Sequence, residues 1–331
     1  MPKSSKGFRL GIVNPTTLVG SEVRALLEER GFEYDQVDLL DATGEQAGAL
    51  TEIADEAAVV QPISEAELEP LDIVFFTGSA EINEKWLAAA DDADCLSIDL
   101  STALDAREGT PVIVGVNASS IESDKGRIVS PHPAAIPLIL VLDRIAAVSP
   151  ISSGTATIIQ PASQFGRKGI DELYHQTVQS LNLKPLPTDV FSRQAAFNLF
   201  PAANAARAEA IIRSDMIAIL GRQPIALSLV QGPTFHSHSL SLFVQTVDDV
   251  SDEALRAALS TGDAIVLEEE GAASTVDAGG RDAALVGRLS RDPAFDSGFW
   301  IWVVCDNLRR GAALNAVSIA ERVVHDFRWT N

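Results

Sequence analysis

The sequence predicts an α/β protein, a doubly wound parallel sheet followed by an α+β domain with a mixed sheet, and three observations lead there. Short Val- and Ile-rich runs recur through the first 130 or so residues and alternate with segments of helical period. These runs are apolar on both faces, as strands covered by helices on either side must be. From about Ser152 the runs lengthen and fewer helices separate neighbours, which fits a mixed or antiparallel sheet.

In chain order, FRLGIV is a strand, NPTTLVG a turn and SEVRALLEERG a helix, in which Val19, Val23, Leu26 and Leu27 recur at helical spacing and Gly31 supplies the stop. A second strand covers 36–40 and ends at Asp41. Further strands are DIVFFTG (72–78), CLSIDLS (95–101), PVIVGVN (111–117) and GRIVSP (126–131), with helical segments such as 82–90 between them. This part is Rossmann-like. Beyond it come the longer strands TATIIQPAS (155–163), IALSLVQGP (225–233), HSLSLFVQT (238–246) and GFWIWVVCD (298–306). The last has Phe299, Ile301, Val303 and Cys305 on one face and Trp300, Trp302 and Val304 on the other, so both faces need cover. The tail RRGAALNAVSIAERVVHDF reads as one long amphipathic helix with Ala313, Val317, Ala320 and Val324 on one face. The acidic run at 268–270 reads as a solvated loop.

Composition narrows the function. Forty-six acidic residues against 25 basic ones give a net charge of −21. Attraction to nucleic-acid phosphates or anionic bilayers needs clustered Lys and Arg, so neither nucleic acid nor membrane is an expected partner. No apolar run reaches the roughly 18 residues of a spanning helix. The start, MPKSSKGFRLGIV, lacks a signal-peptide layout, so a soluble, cytoplasmic protein is expected. The two cysteines, Cys95 and Cys305, each sit in an apolar run that reads as a buried strand. They support neither a disulfide framework nor a Cys-based zinc site, and no metal is expected.

Six segments, in order, resemble the aspartate-β-semialdehyde dehydrogenase family. They are VGSEV after the first strand, SIDLSTAL (97–104), TATIIQPAS (155–163), AFNLFP (196–201), HSHS (236–239) and, most specifically, DNLRRGAALNAVSIAE (306–321). The resemblance implies a Rossmann-like NAD(P)-binding domain at 1–132, a catalytic and dimerisation domain at 133–310, and a helix at 311–331 packing back on the first domain. Members reduce aspartyl phosphate to the semialdehyde through a cysteine thioester and hydride transfer from NADPH, in amino-acid biosynthesis. Such chemistry requires a thiolate, a histidine to move protons, an arginine for the substrate carboxylate, a cationic phosphate site and a dinucleotide loop.

Carried over residue by residue, that machinery is incomplete. The nucleophile segment is similar to Ser130-Pro131-His132-Pro133-Ala134-Ala135, which puts Pro133 where the family has cysteine. Proline has no nucleophilic atom. His132 beside it suits a helix-capping or surface role. His238 matches the family's base and Gln160 its substrate-contacting glutamine, while Gln231 stands where the family has the substrate arginine. Exchanging a charged clamp for an amide forgoes charge-assisted bonds worth about 1.5–3 kcal/mol each. Asp105 falls at the phosphate-binding arginine, with Arg107 two residues on.

The family's dinucleotide loop corresponds to Asn14-Pro15-Thr16-Thr17-Leu18-Val19-Gly20, so two of its three glycines are gone. Gly20 survives, and it is the glycine that serves helix–sheet packing. The resemblance assigns cofactor contacts to Thr16, Thr17, Leu18, Val19, Gly20, Ser163 and Asn315. Asp41 at the end of the second strand favours a free ribose hydroxyl, so NADP is disfavoured more than NAD.

Three functions follow as alternatives. The first is a dimeric, non-catalytic member resembling the paralogues that lack the catalytic cysteine, with a small molecule or protein as ligand. The second is an NAD(P)-linked enzyme of another kind using His238, Gln160 and His132. The third is a working semialdehyde dehydrogenase, which Pro133 opposes.

Overall fold

The computed structural model describes residues 7–53, 56–102, 108–121, 126–269 and 271–330. The chain divides into two compact units, one containing the residues up to His132 together with those from Ala312, the other Pro133–Gly311.

The first unit runs β1 (Arg9–Val13), α1 (Leu18–Glu29), β2 (Gln36–Asp41), a hairpin of β3 (Leu50–Ile53) and β4 (Glu56–Val59), β5 (Gln61–Pro62), α2 (Glu65–Leu68), β6 (Ile73–Phe76), α3 (Ala80–Asp92), β7 (Leu96–Asp99), β8 (Thr110–Pro111) and β9 (Gly126–Val129). Its seven-stranded sheet has the order β5-β2-β1-β6-β7-β9-β8, and every pairing is parallel. This is the doubly wound sheet the apolar runs predict. Order reverses across β1, with β2 on one side and β6 on the other, and the crevice at such a point is where α/β sheets bind ligands. The sheet is buried on both faces. Leu10, Ile12 and Phe75 pack with Val23, Leu26 and Leu27 of α1 and with Val317, Ala320 and Val324, whereas Val13, Val74 and Phe76 pack with Leu87 and Ala90 of α3.

The second unit runs α4 (Ala135–Ala146), β10 (Ile151–Gln160), α5 (Gly166–Leu181), β11 (Phe200–Pro201), α6 (Ala205–Leu220), β12 (Ile225–Gln231), β13 (His238–Thr246), α7 (Asp252–Leu259), β14 (Ile265–Leu267), α8 (Thr275–Ala278), β15 (Ala284–Arg291) and β16 (Gly298–Cys305). These strands form a seven-stranded sheet of order β11-β12-β10-β13-β16-β15-β14. It is mixed, because β10–β12 and β14–β15 are parallel and the remaining pairs antiparallel. A parallel neighbour needs a crossover. That crossover consists of the two 16-residue helices α5 and α6, so this unit holds more helix than the strand pattern predicts. Helix α9 (Leu314–Thr330) closes the chain and belongs to the first unit.

Three further expectations are corrected. The run 111–117 is not a strand beyond Pro111, although Val112 and Ile113 are buried. Asn117 Oδ1 accepts from Ile113 N–H (2.8 Å), Asn117 Nδ2 donates to Pro111 O (2.9 Å), and Asn315 Oδ1 accepts from Val114 N–H (3.1 Å). Side-chain amides thus satisfy backbone groups that a ladder would otherwise pair. The tail is not one α-helix, because Arg309–Ala313 forms a wider π turn ahead of α9. Cys95 precedes β7 and is tied by its thiol to Leu68 O and Leu71 O, both at 3.2 Å. On β16 the division of faces holds for Phe299, Ile301, Val303 and Cys305, which are all buried. On the other face Val304 is buried too, while Trp300 and Trp302 are half-buried.

Candidate functional site

In the second unit, strand direction gathers the candidate residues at one sheet edge. Parallel β10 and β12 end together at Gln160 and Gln231, which are register partners. Antiparallel β13 starts at this edge with His238, and β16 ends beside it, with Cys305 the register partner of His238. Pro133 lies here as well, since a Cβ on Gly311 would fall 2.9 Å from Pro133 O. Gln160, Gln231, His238 and Pro133 are therefore brought to one place.

The two glutamines form an amide network there with Asn204. Gln160 Nε2 donates to Gln231 Oε1 (2.9 Å) and Asn204 Oδ1 (3.2 Å), and Gln160 Oε1 accepts from Asn204 Nδ2 (3.2 Å). Gln231 Nε2 donates to Gln160 O (3.1 Å) and Gly232 O (2.9 Å). Both glutamines are fully buried, and all four of their amide N–H donors have partners inside the protein. A carboxylate brought to this network would have to break these bonds before it gained any. Ser163 donates through its hydroxyl to Asn307 Oδ1 (3.0 Å), which also accepts from Ser237 N–H (2.9 Å). Asn204 and Asn307 were not marked by the sequence as site residues. Asn307 lies in the most family-like segment, a signal that could have found it; Asn204 carries no such mark.

The segment ahead of α4 carries no thiol. Helix α4 begins after Ala134, which offers no side-chain cap, so its N-terminal polarity faces the half-buried Pro133. Of the two thiols, Cys305 is buried and pushed up to about 12 by that burial, with Asp306 adding to the rise and Arg310 opposing it. It is a neutral thiol, unlike the activated thiolates of cysteine enzymes. His132 does not lie on the surface, one of the two places expected for it, because the stretch 130–132 runs buried. Burial pushes its imidazole down to about 4.

Acid stability follows from that depression. With a folded value near 4 against 6.5 unfolded, the stretched-out chain binds more protons between these limits. Stability contributed by neutral His132 is thus present above about pH 6.5 and lost as pH falls toward 4. The loss is expected to be about 3 kcal/mol, and His132→Gln should flatten it. Urea midpoints at several pH values check this, and a variant with the wild-type slope would refute it.

In the first unit, Thr16 is exposed, Thr17, Leu18 and Val19 are half-buried and Gly20 is buried at the start of α1. Thr17 caps the helix, its Oγ1 accepting from Gly20 N–H at 3.0 Å. Asn14 has φ +57, a conformation that glycine usually supplies and asparagine tolerates. Its side chain is buried: Nδ2 donates to Thr77 O (3.0 Å) and Asn83 Oδ1 (3.2 Å), and Oδ1 accepts from Ala42 N–H (3.0 Å). Asp41 is buried and turned inward, which corrects its expected role toward a ribose. Oδ1 accepts from Thr43 N–H (2.9 Å) and the Thr43 hydroxyl (2.6 Å), and Oδ2 from Gln46 N–H (2.8 Å) and Ala47 N–H (2.9 Å). Burial alone would raise its carboxyl, but these bonds outweigh it and hold the group below the ordinary range. Asn315 is likewise engaged, donating to Val112 O (2.8 Å) and Ser130 Oγ (3.1 Å). Asp105 and Arg107 lie outside the described residues. Among the described residues, no His, Cys, Asp and Glu cluster is placed to hold a metal, and no helix is long and apolar enough to cross a membrane.

Comparison with known proteins agrees with this architecture. Residues 9–124 match the family model described as semialdehyde dehydrogenase, NAD binding domain, and residues 143–310 match semialdehyde dehydrogenase, dimerisation domain. A USG-1 protein homolog of Pseudomonas aeruginosa is 33% identical over 335 residues, covering 98% of this chain and 99% of that protein. Aspartate-semialdehyde dehydrogenase 2 of Vibrio cholerae is 31% identical over 336 residues, with 98% and 99% covered. Among solved structures, a probable aspartate-semialdehyde dehydrogenase from Pseudomonas aeruginosa superposes with a TM-score of 0.92 at 32% identity, covering 97% of this chain and 100% of that one. Aspartate semialdehyde dehydrogenase II from Vibrio cholerae, complexed with ASA, gives 0.90 at 31% identity, covering 98% and 100%.

Proposed function

The chain belongs to the semialdehyde dehydrogenase family, and we propose that it keeps the fold and the dimerising unit of that family without the thiol chemistry. The observation that carries this reading is Pro133, which occupies the position before α4 where the family resemblance expects the nucleophile. No thiol elsewhere replaces it, since Cys95 and Cys305 are both buried and Cys305 is held protonated. His238 keeps the position of the base and Gln160 that of the substrate amide. Gln231, in the arginine position, ties Gln160 into a neutral network instead of presenting a charge. The direct test is an assay of phosphate-dependent NADP reduction with aspartate semialdehyde, in which no turnover is expected.

The protein acts in this reading as a cytoplasmic homodimer joined through the second unit. Support comes from the match of residues 143–310 to a dimerisation domain and from the face of β16 that carries Trp300 and Trp302. Both indoles are half-buried, and a hollow of about 350 Å³ opens beside them, lined also by Ser241 and Arg288. A second copy applied to this sheet about a two-fold axis would cover the face. Light scattering at micromolar concentration is expected to give twice the chain mass of 35.2 kDa. A mass of one chain would end the dimer.

A further inference from the structure

We infer that Asn14 and Thr17 close the dinucleotide crevice of the first unit from within, so that this unit takes neither NAD nor NADP. The family resemblance implies such a cofactor, and the residues present do not fit it. A dinucleotide in this kind of sheet makes three demands on the crevice: backbone N–H donors at the first helix for pyrophosphate, an acceptor after the second strand for ribose, and an approach path free of side chains. Each is answered here by the protein itself.

The approach path is filled by Asn14. Its amide joins the ends of three strands, reaching Thr77 O after β6 and Ala42 N–H after β2 from its own place after β1. These are the two neighbours of β1, so the side chain lies across the point where strand order reverses. Gly78 measures how closely it fits, because a Cβ there would fall 2.9 Å from Asn14 Nδ2. Asn83 on α3 holds the same amide at 3.2 Å and also donates to Thr77 O at 2.8 Å, so the plug is fixed from a fourth element.

The supply of helix-start donors is cut at Thr17. Gly20 N–H, one of the helix-start donors, is engaged by Thr17 Oγ1, and that hydroxyl sits 2.9 Å from Thr77 Oγ1 and from Asn14 O. Phosphate would have to displace a cap that is already satisfied. The acceptor demand fails at Asp41, whose two oxygens take four internal donors. A carboxylate offers about four acceptor sites, so none remains for a ribose diol.

Titration calorimetry of the full-length protein with NAD and with NADP tests the inference. No saturable heat is expected up to about 1 mM, the upper end of ordinary enzyme KM values. Hydrogen exchange of the peptide spanning residues 14–20 is expected to be unchanged by either nucleotide. Saturable binding of wild-type protein, or nucleotide-dependent protection of that peptide, would overturn the inference. The double variant Asn14→Gly, Thr17→Gly, checked for folding by thermal unfolding, is expected to bind at least one nucleotide tenfold or more tightly. A folded double variant that still binds neither would overturn the assignment to these two residues, while the wild-type measurements decide the matter should the variant not fold. This inference is separable from the loss of thiol chemistry: nucleotide binding without turnover would end it alone, and turnover would end both.

Discussion

Purified protein given aspartate semialdehyde, phosphate and NADP is expected to turn over no faster than about 10⁻⁵ s⁻¹. A typical enzyme runs at about 10 s⁻¹, and removing the covalent nucleophile of an acyl-transfer site costs on the order of 10⁶ in rate. In the proposed reading Pro133 removes it; both remaining thiols are buried, and Cys305 is held protonated. Supporting groups are missing too, so Pro133→Cys alone is expected to leave activity undetectable. The amide donors of Gln160 and Gln231 are tied to each other, to Asn204 and to backbone carbonyls, and are not free for a substrate carboxylate. The check is a spectrophotometric assay on protein from a host lacking its own semialdehyde dehydrogenase. Wild-type turnover near 10 s⁻¹ would overturn the proposed function.

Gly20→Val is expected to destabilise the protein by about 3–4 kcal/mol, near the upper end of overpacking effects. A Cβ at position 20 would stand 2.6 Å from Asn14 O, 2.9 Å from Pro15 Cα and 2.9 Å from Thr77 Oγ1. The first two are backbone atoms at the β1–α1 turn and cannot swing aside as a side chain would. Helix propensity favours valine over glycine by a few tenths of a kcal/mol, too little to compensate. Urea unfolding reads the effect as a lower midpoint at unchanged slope. A midpoint equal to wild type would mean that the turn has room, and the packing role given to Gly20 would fall.

Gly20 also illustrates how much of the site was legible in the sequence. Its packing role follows from its place in the loop pattern, and the structure supplies the close contacts. Pro133 is similarly legible, because the lack of a nucleophilic atom is a property of the residue itself whatever surrounds it. The role expected of Asp41 was not legible. An acidic residue after β2 suggests a ribose contact, yet the chain from Thr43 to Ala47 curls back and uses both carboxylate oxygens. His132 is a similar case, since its position before a helix says nothing about whether the stretch 130–132 lies at the surface or inside.

By itself the sequence determined the two sheets, their parallel and mixed character and the family. All of these rest on periodicity, on residue identity or on short ordered segments, which are local properties. Only the tertiary structure decided where the polar side chains find their partners. Asn14 meets Thr77 and Asn83 across 63 and 69 residues, Gln160 meets Gln231 across 71, and Asn315 accepts from Val114 N–H across 201. A buried amide must satisfy its donors and acceptors with whatever the fold brings beside it. Whether it holds a ligand or holds the protein together is therefore set by contacts that sequence spacing does not encode.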